Sequence, residues 1–290
     1  MSNEFLENKN KSKSTNTVPD TFFRKLFSEK ERAIELCNAL EGTNYALDAD
    51  ARVCDLNNSL LRRYNDAAIA VEEKLLVFSE QQSRVNLNMP LRFLSYSTDT
   101  YYSWFVDMKQ IHKRAIFKIP TPKFYVLYNG EEKLENDILR LSDAFKLPSK
   151  EISLEIVAKV IDVNYSSGSD ILKKSESLRG YAYLLELIRT QTREGMSRDR
   201  AIKPAIDKCI SEGVLVDFLK QYYEEVANML AYEYKYEDEF AANREEGREE
   251  GREEGQLRVA LEMFNDGFTF EQIAKYVKLP VEQIKRFLPR

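Results

Sequence analysis

Histidine, cysteine and long apolar runs are scarce in this chain of 290 residues, and each shortage excludes a class of function. The one histidine, His112, excludes metal sites built from several imidazoles, and its basic neighbourhood is typical of an exposed loop or helix end. The three cysteines, Cys37, Cys54 and Cys209, form no CxxC pair. That spacing argues against a thiolate zinc site and indicates reduced thiols in a cytoplasmic protein. No run of about 18 apolar residues is present, so no membrane span is expected.

Charge of one sign is not in large excess, so no domain-wide basic surface is expected. The formal net charge is -5, with 43 Lys and Arg against 48 Asp and Glu. Residues 1–130 carry 18 basic and 16 acidic side chains, whereas residues 131–290 carry 25 and 32. The N-terminal part is therefore better suited to a polyanion. Because imidazoles are almost absent, any catalysis must depend on carboxylates.

Hydrophobic periodicity predicts an α/β domain followed by helices. One or two short helices are expected within residues 20–41 and a long helix over 87–108, and 121–130 is expected to be a strand ending in an Asn-Gly turn. Residues 153–165 fit either a helix or a strand, and 170–232 are helical in pattern. The predicted organisation is a disordered tail over 1–19, an α/β domain over 20–168, a helical region over 169–232, a charged segment over 233–255 and a small module over 256–290.

A predicted hairpin between residues 65 and 82 places polar side chains in an apolar setting. Two runs, NDAAIAV and LLVFSEQQ, flank the loop Glu72-Glu73-Lys74 and are apolar on both faces, as buried central strands are. With a loop of three residues, Asp66 faces Glu80, and Gln82 shares the face of Glu80 because side chains alternate along a strand. Two carboxylates and an amide oxygen therefore converge at the end of the hairpin away from its loop.

Facing carboxylates in apolar strands need a positive partner. A hard divalent ion is one solution, because Mg²⁺, or Mn²⁺ or Ca²⁺ in its place, prefers oxygen ligands and can activate water against a phosphodiester. The other solution is an acidic hairpin edge neutralised by a nearby arginine, with Arg62, Arg63 and Arg92 as candidates. The spacing leaves both open.

Three motif blocks stand out in the sequence: Asn65-Asp66, Glu80-Gln81-Gln82-Ser83 and Asn88-Met89-Pro90-Leu91-Arg92. Together with the stretches DTFFRKLF and TPKFYVLYNG and the Glu/Arg/Gly repeat, they resemble the Rpn family, recombination-promoting nucleases that are also named transposases. The resemblance covers nearly the whole chain after residue 20. It implies a PD-(D/E)XK nuclease-like fold, a mixed sheet flanked by helices and followed by an α-helical C-terminal region, and it favours a strand over 153–165.

The same resemblance implies a metal-dependent DNA endonuclease that acts in recombination or in defence against foreign DNA. It assigns Asp66 and Glu80 as metal ligands and, with Gln82, as the catalytic residues. Gln82 stands where the superfamily usually has lysine, so we expect Lys25 or Arg92 to supply positive charge. The missing lysine also leaves an alternative, a DNA-binding or assembly protein on a nuclease fold that cuts weakly or not at all.

The C-terminal part indicates association. Residues 244–255 repeat Arg-Glu-Glu-Gly three times, which fits either a solvated, partly helical linker or a self-association helix that makes a homodimer. Residues 256–290 predict three short helices, with a capping box between Thr269 and Gln272 and with Pro280 at the first position of the third helix. This module fits DNA binding, or packing and dimerisation.

Overall fold

The computed structural model describes residues 21–53, 67–148 and 150–287, and the chain divides into two compact units between Ala231 and Tyr232. Within the described residues, no helix is both long enough and apolar enough to cross a membrane. Cys37 and Cys209 are buried free thiols, whereas Cys54 and the expected tail over 1–19 lie outside the described residues.

A mixed sheet of six strands forms the centre of the first unit, in the spatial order β1-β2-β3-β4-β6-β5. The strands are β1 Ala51–Val53, β2 Ala67–Val71, β3 Leu75–Gln82, β4 Thr121–Tyr128, β5 Ile138–Arg140 and β6 Val157–Asp162. The β2 strand is antiparallel to both β1 and β3, the strands β3, β4 and β6 run parallel to one another, and β5 is antiparallel to β6. The central strands β3 and β4 therefore end at the same edge of the sheet.

The hairpin of β2 and β3 has the predicted loop and register. Glu72 and Glu73 take left-handed backbone angles, with φ of 49° and 51°, as tight hairpin turns require. Val71 faces Leu75 and the pairing continues to Ala67 opposite Ser79, as a three-residue loop demands. The expectation for Asp66 lies outside the described residues.

Helices cover both faces of the sheet, as predicted for an α/β unit. They are α1 Phe22–Leu26, α2 Lys30–Glu41, α3 Met89–Trp104, α4 Met108–Ile111, α5 Asp170–Lys174, α6 Glu176–Arg193, α7 Arg198–Ser211, α8 Val216–Gln221 and the start of α9 Tyr223–Asn265. On one face, Phe93 of α3 packs on Phe124 with ring centroids 5.2 Å apart, in the core that contains Phe78. On the other face, the Tyr125 hydroxyl donates to the Leu40 carbonyl of α2 at 3.4 Å.

The predicted elements agree with the observed ones except at some ends. The helix expected over 87–108 stops at Trp104, and Asp107 then caps the short α4 by accepting from the Lys109 amide at 2.8 Å. His112 is exposed at the C-terminal cap of α4, as expected for a helix-end histidine. Residues 157–162 form a strand, which resolves the ambiguity of 153–165.

The second unit contains most of α9, followed by α10 Phe270–Val277 and α11 Val281–Phe287. The Arg-Glu-Glu-Gly repeat is helical throughout within α9. Ala260, Ile273, Val277 and Ile284 form a small core. The predicted capping box is confirmed, because both of its hydrogen bonds are present. Pro280 immediately precedes α11 instead of opening it, and its carbonyl accepts from the Ile284 amide at 3.2 Å.

Candidate active site at the carboxyl end of the central strand

Glu80 and Gln82 lie on one face of β3 near its carboxyl end, where they pair with Val126 and Tyr128 of β4. Their alternation brings both side chains to the side covered by α3, since Phe78 on the same face belongs to the core that contains Met89 and Phe93. Gln81 points the other way, as predicted, and donates to Asn129 Oδ1 at 2.7 Å. Glu80 is 3% exposed, which is unusual for a carboxylate.

Arg92 meets Glu80 because α3 returns over the end of β3. Arg92 Nη1 lies 2.6 Å from Glu80 Oε1 in an ion pair, with the Arg92 side chain 28% exposed. Arg92 Nε donates to the Tyr96 hydroxyl at 3.0 Å, one helical turn further along. The guanidinium is thus held between a strand carboxylate and a helix tyrosine.

Gln82 completes the cluster, and its amide has a defined orientation. Its Nε2 donates to Glu80 Oε1 at 2.9 Å and to Met89 Sδ at 3.0 Å. Its Oε1 accepts from the backbone amide of Asn86 at 2.9 Å. Gln82 therefore supports the Glu80 carboxylate with a donor, and its own oxygen serves the loop before α3.

The oxygen atoms of the described residues are suitable ligands for a hard divalent ion, but there are too few of them to hold one. Glu80 offers carboxylate oxygens, and Gln82 would have to turn its amide to offer another. Among the described residues, no group of three histidine, cysteine, aspartate or glutamate side chains is close enough to hold a metal. A complete ligand set at this place therefore requires Asp66, which precedes β2 directly in the sequence but lies outside the described residues.

The two expected supporting cations have different positions. Arg92 is at Glu80, and this ion pair is the arginine-neutralised acid that the sequence left as one of two solutions. Arg62 and Arg63 lie outside the described residues. Lys25 Nζ instead lies 3.0 Å from Glu225 and 4.1 Å from the centre of the Tyr222 ring. The expectation that Lys25 supports the site is therefore replaced by a packing role between α1 and the helices that follow α7.

Sequence reasoning missed Tyr96, Met89 and Asn86, which hold Arg92 and Gln82 in place. The spacing of Arg92 and Tyr96, four residues apart on a predicted helix, was the available signal. The contact of Met89 with Gln82 depends on how α3 folds back onto the sheet, and no local pattern encodes it.

A polar cleft of about 560 Å³ opens at the same edge of the sheet, beyond the ends of β4 and β6. Arg189 of α6 donates to Asn164 Oδ1 at 2.7 Å and to the Asn129 carbonyl, which fixes the end of β4. Gly130 follows Asn129, and a Cβ there would come within 2.0 Å of the Ser83 carbonyl oxygen. Only glycine therefore lets the chains after β3 and β4 approach so closely.

Comparison with known proteins adds no assignment to this geometry. The sequence matches no family model, no curated protein and no solved structure.

Proposed function

We propose that the chain is a metal-dependent DNA endonuclease whose reaction centre lies around Glu80. The observation that carries the proposal is a buried carboxylate on a central, otherwise apolar strand, with Gln82 and Arg92 converging on it. Burial of an ionised carboxylate is costly even when it is paired, so packing alone explains Glu80 poorly. With the resemblance to Rpn nucleases, this supports an activity in the cytoplasm, in recombination or in defence against foreign DNA.

Each residue has a part in the proposed reaction. Asp66 and Glu80 would hold Mg²⁺ or Mn²⁺ through carboxylate oxygens, and the ion supplies Lewis acidity and an activated water when bound. Gln82 holds Glu80 in position through its amide N–H. Arg92 has a planar guanidinium that fits a phosphate as well as a carboxylate, so it can pass from Glu80 to the DNA. Arg92 would thereby compensate for the lysine that is absent at position 82.

A second function is favoured by the same ion pair. Arg92 already neutralises Glu80, and Gln82 directs a donor and not an oxygen toward it. A site closed in this way suits a DNA-binding or assembly protein without cleavage. This alternative predicts that DNA is retained and stays intact in every divalent metal.

Cleavage of supercoiled plasmid separates the two functions. Purified protein and its Asp66→Ala variant are incubated with plasmid in Mg²⁺, Mn²⁺, Ca²⁺ or EDTA. The endonuclease proposal expects nicked or linear products that need the metal and disappear in the variant. Intact plasmid in all metals, with both proteins folded, would favour the binding protein.

We further propose that α9 makes a homodimer, which would give a nuclease two active sites for a double-strand cut. A Cβ added at Gly247, Gly251 or Gly255 would meet no heavy atom within 4 Å, so this side of the helix is open. Residues advance by about 100° along a helix. Arg248 and Arg252 therefore flank Gly251 on one side, while Glu250 and Glu254 flank it on the other.

This charge arrangement fits a second copy in the parallel orientation. In parallel helix pairs opposite flanks face each other, so arginines meet glutamates on both sides of the contact. In antiparallel pairs like flanks meet, and arginine would face arginine. Single cysteines at Gly247 and at Gly255, in a Cys54→Ser background, distinguish the two. We expect each variant to cross-link to itself, whereas formation of mixed Gly247→Cys with Gly255→Cys dimers alone would show the antiparallel pair.

A further inference from the structure

A basic loop connects α3 to β4. It spans residues 108–119, MKQIHKRAIFKI, and carries Lys109, Lys113, Arg114 and Lys118 without any acidic residue, in a chain of net charge -5. All four cationic side chains are exposed, and none forms an ion pair with another described residue. Asp107, which precedes the loop and caps α4, is the one acidic residue between α3 and β4, so this connection has a formal net charge of +3.

Hydrogen bonds fix the C-terminal end of the basic loop to the sheet unit. The Tyr101 hydroxyl of α3 donates to the Pro120 carbonyl at 2.6 Å, and burial raises the pKa of Tyr101 to about 12, so this donor stays protonated. The Thr121 amide donates to the Lys74 carbonyl at 2.9 Å. A fixed loop presents its charges at a smaller entropic cost of binding than a free tail.

Apolar side chains are interleaved with the cations. Ile116 is 88% exposed, and Met108, Ile111 and Ile119 are also exposed. Basic and apolar surface together fits either a nucleic acid or an anionic lipid surface. The backbone decides between them, because the only helix within the loop is the four-residue α4 and the rest is irregular. Insertion into lipid would leave backbone N–H and C=O groups unsatisfied, whereas binding to phosphates leaves them hydrated.

We propose that the basic loop is a second DNA contact, which holds the phosphate backbone at a distance from Glu80. Arg92 meets Glu80, and α3 continues from Arg92 to Trp104, shortly before the loop. At 1.5 Å per residue this part of the helix is about 18 Å long, which corresponds to roughly five base pairs. The identification of the bound polyanion as DNA rests on the proposed function. Binding of DNA by the basic loop, however, requires no catalysis.

Binding to a fluorescein-labelled 24-bp duplex in EDTA tests the basic loop without cleavage. Fluorescence anisotropy is measured against NaCl concentration for the full-length protein. One variant carries Lys109→Gln, Lys113→Gln, Arg114→Gln and Lys118→Gln. The matched control makes the same change in charge at exposed lysines elsewhere in the same unit, Lys146→Gln, Lys150→Gln, Lys174→Gln and Lys220→Gln.

We expect the loop variant to bind at least about tenfold more weakly at 100 mM salt, with a log-log salt slope smaller by roughly two to four. The control should stay within about twofold of the wild type. Equal losses in both variants, or no loss in the loop variant, would overturn the proposal. Loss of binding to phosphatidylserine vesicles without loss of DNA binding would assign the loop to lipid instead. Because cleavage is measured separately, an inactive protein that still needs the loop for DNA would refute the nuclease and keep this contact.

Discussion

Replacement of Arg92 by methionine should destabilise the sheet unit, because it leaves the Glu80 carboxylate buried without its guanidinium. Methionine keeps much of the aliphatic stem beside Met89 and Tyr96, so the change removes charge more than packing. The Glu80 and Arg92 side chains are 4% and 28% exposed. The carboxylate of the pair is therefore almost fully buried, whereas the guanidinium is partly exposed to solvent.

The expected cost of Arg92→Met is about 3 kcal/mol, the low end for removing one partner of a buried ion pair. Glu80→Gln should cost about 1 kcal/mol, because an amide still accepts from Gln82 and Arg92. The double variant should cost little more than Glu80→Gln alone, since it removes both charges of the Glu80–Arg92 pair. The cycle then gives a coupling of roughly 3 kcal/mol between the two residues.

Urea unfolding followed by Trp104 fluorescence measures this cycle. Trp104 is the only tryptophan of the chain and ends α3, so it reports on the sheet unit and not on α10 and α11. Lys123→Met is the matched control. Lys123 pairs with Glu41 at 3.2 Å but is 42% exposed, so its loss should cost less than about 1 kcal/mol.

A cost for Arg92→Met no larger than that of Lys123→Met, together with a coupling near zero, would refute this reasoning. Glu80 would then be neutralised by other groups, and Arg92 would lose its place in the candidate site.

Three further predictions follow from the same structure. Gly130→Ala should destabilise the sheet unit by about 2 kcal/mol, because its Cβ would meet the Ser83 carbonyl oxygen at 2.0 Å, and a Trp104 unfolding curve equal to that of the wild type would contradict this. Burial strongly raises the pKa of the Cys37 thiol and raises that of Cys209 to about 12. At pH 8, Ellman's reagent should therefore label at most one thiol in the native protein and all three in guanidinium, and rapid labelling of two or more native thiols would contradict this. If Arg92 competes with a cation for Glu80, Mn²⁺ should raise the Tm of Arg92→Met more than that of the wild type in differential scanning fluorimetry, and equal shifts would exclude the competition.

Local patterns predicted the parts of the fold whose causes are local. The loop Glu72-Glu73-Lys74 and the apolar runs around it set the register of β2 and β3, so the facing pairs could be derived before the structure was known. The capping box of Thr269 and Gln272 was likewise readable, because its two hydrogen bonds span only three residues. The sequence did not decide whether the Arg-Glu-Glu-Gly repeat is helical, because its glycines destabilise a helix whereas its Glu and Arg pairs stabilise one.

Contacts between distant segments were the part that the sequence did not determine. Lys25 and Arg92 were equal candidates for the cation near Glu80, because both are basic residues in stretches that carry the family resemblance and the sequence does not give their distances from Glu80. The path of α3 over the end of β3 brings Arg92 to Glu80, while Lys25 reaches Glu225, which is 200 residues away in the sequence. Tertiary packing, and not motif spacing, therefore selected the partner.

Plasmid cleavage by Glu80→Gln beside Glu41→Gln tests the central claim most directly. Glu41 is the matched control, because it is also a largely buried glutamate in an ion pair, and it receives a hydrogen bond from Tyr125 on the other face of the sheet. The account predicts that Glu80→Gln lowers the rate of metal-dependent nicking at least about a hundredfold, while Glu41→Gln leaves it within a few-fold of the wild type. Equal cleavage by wild type and a folded Glu80→Gln would contradict the assignment of the reaction to this edge of the sheet.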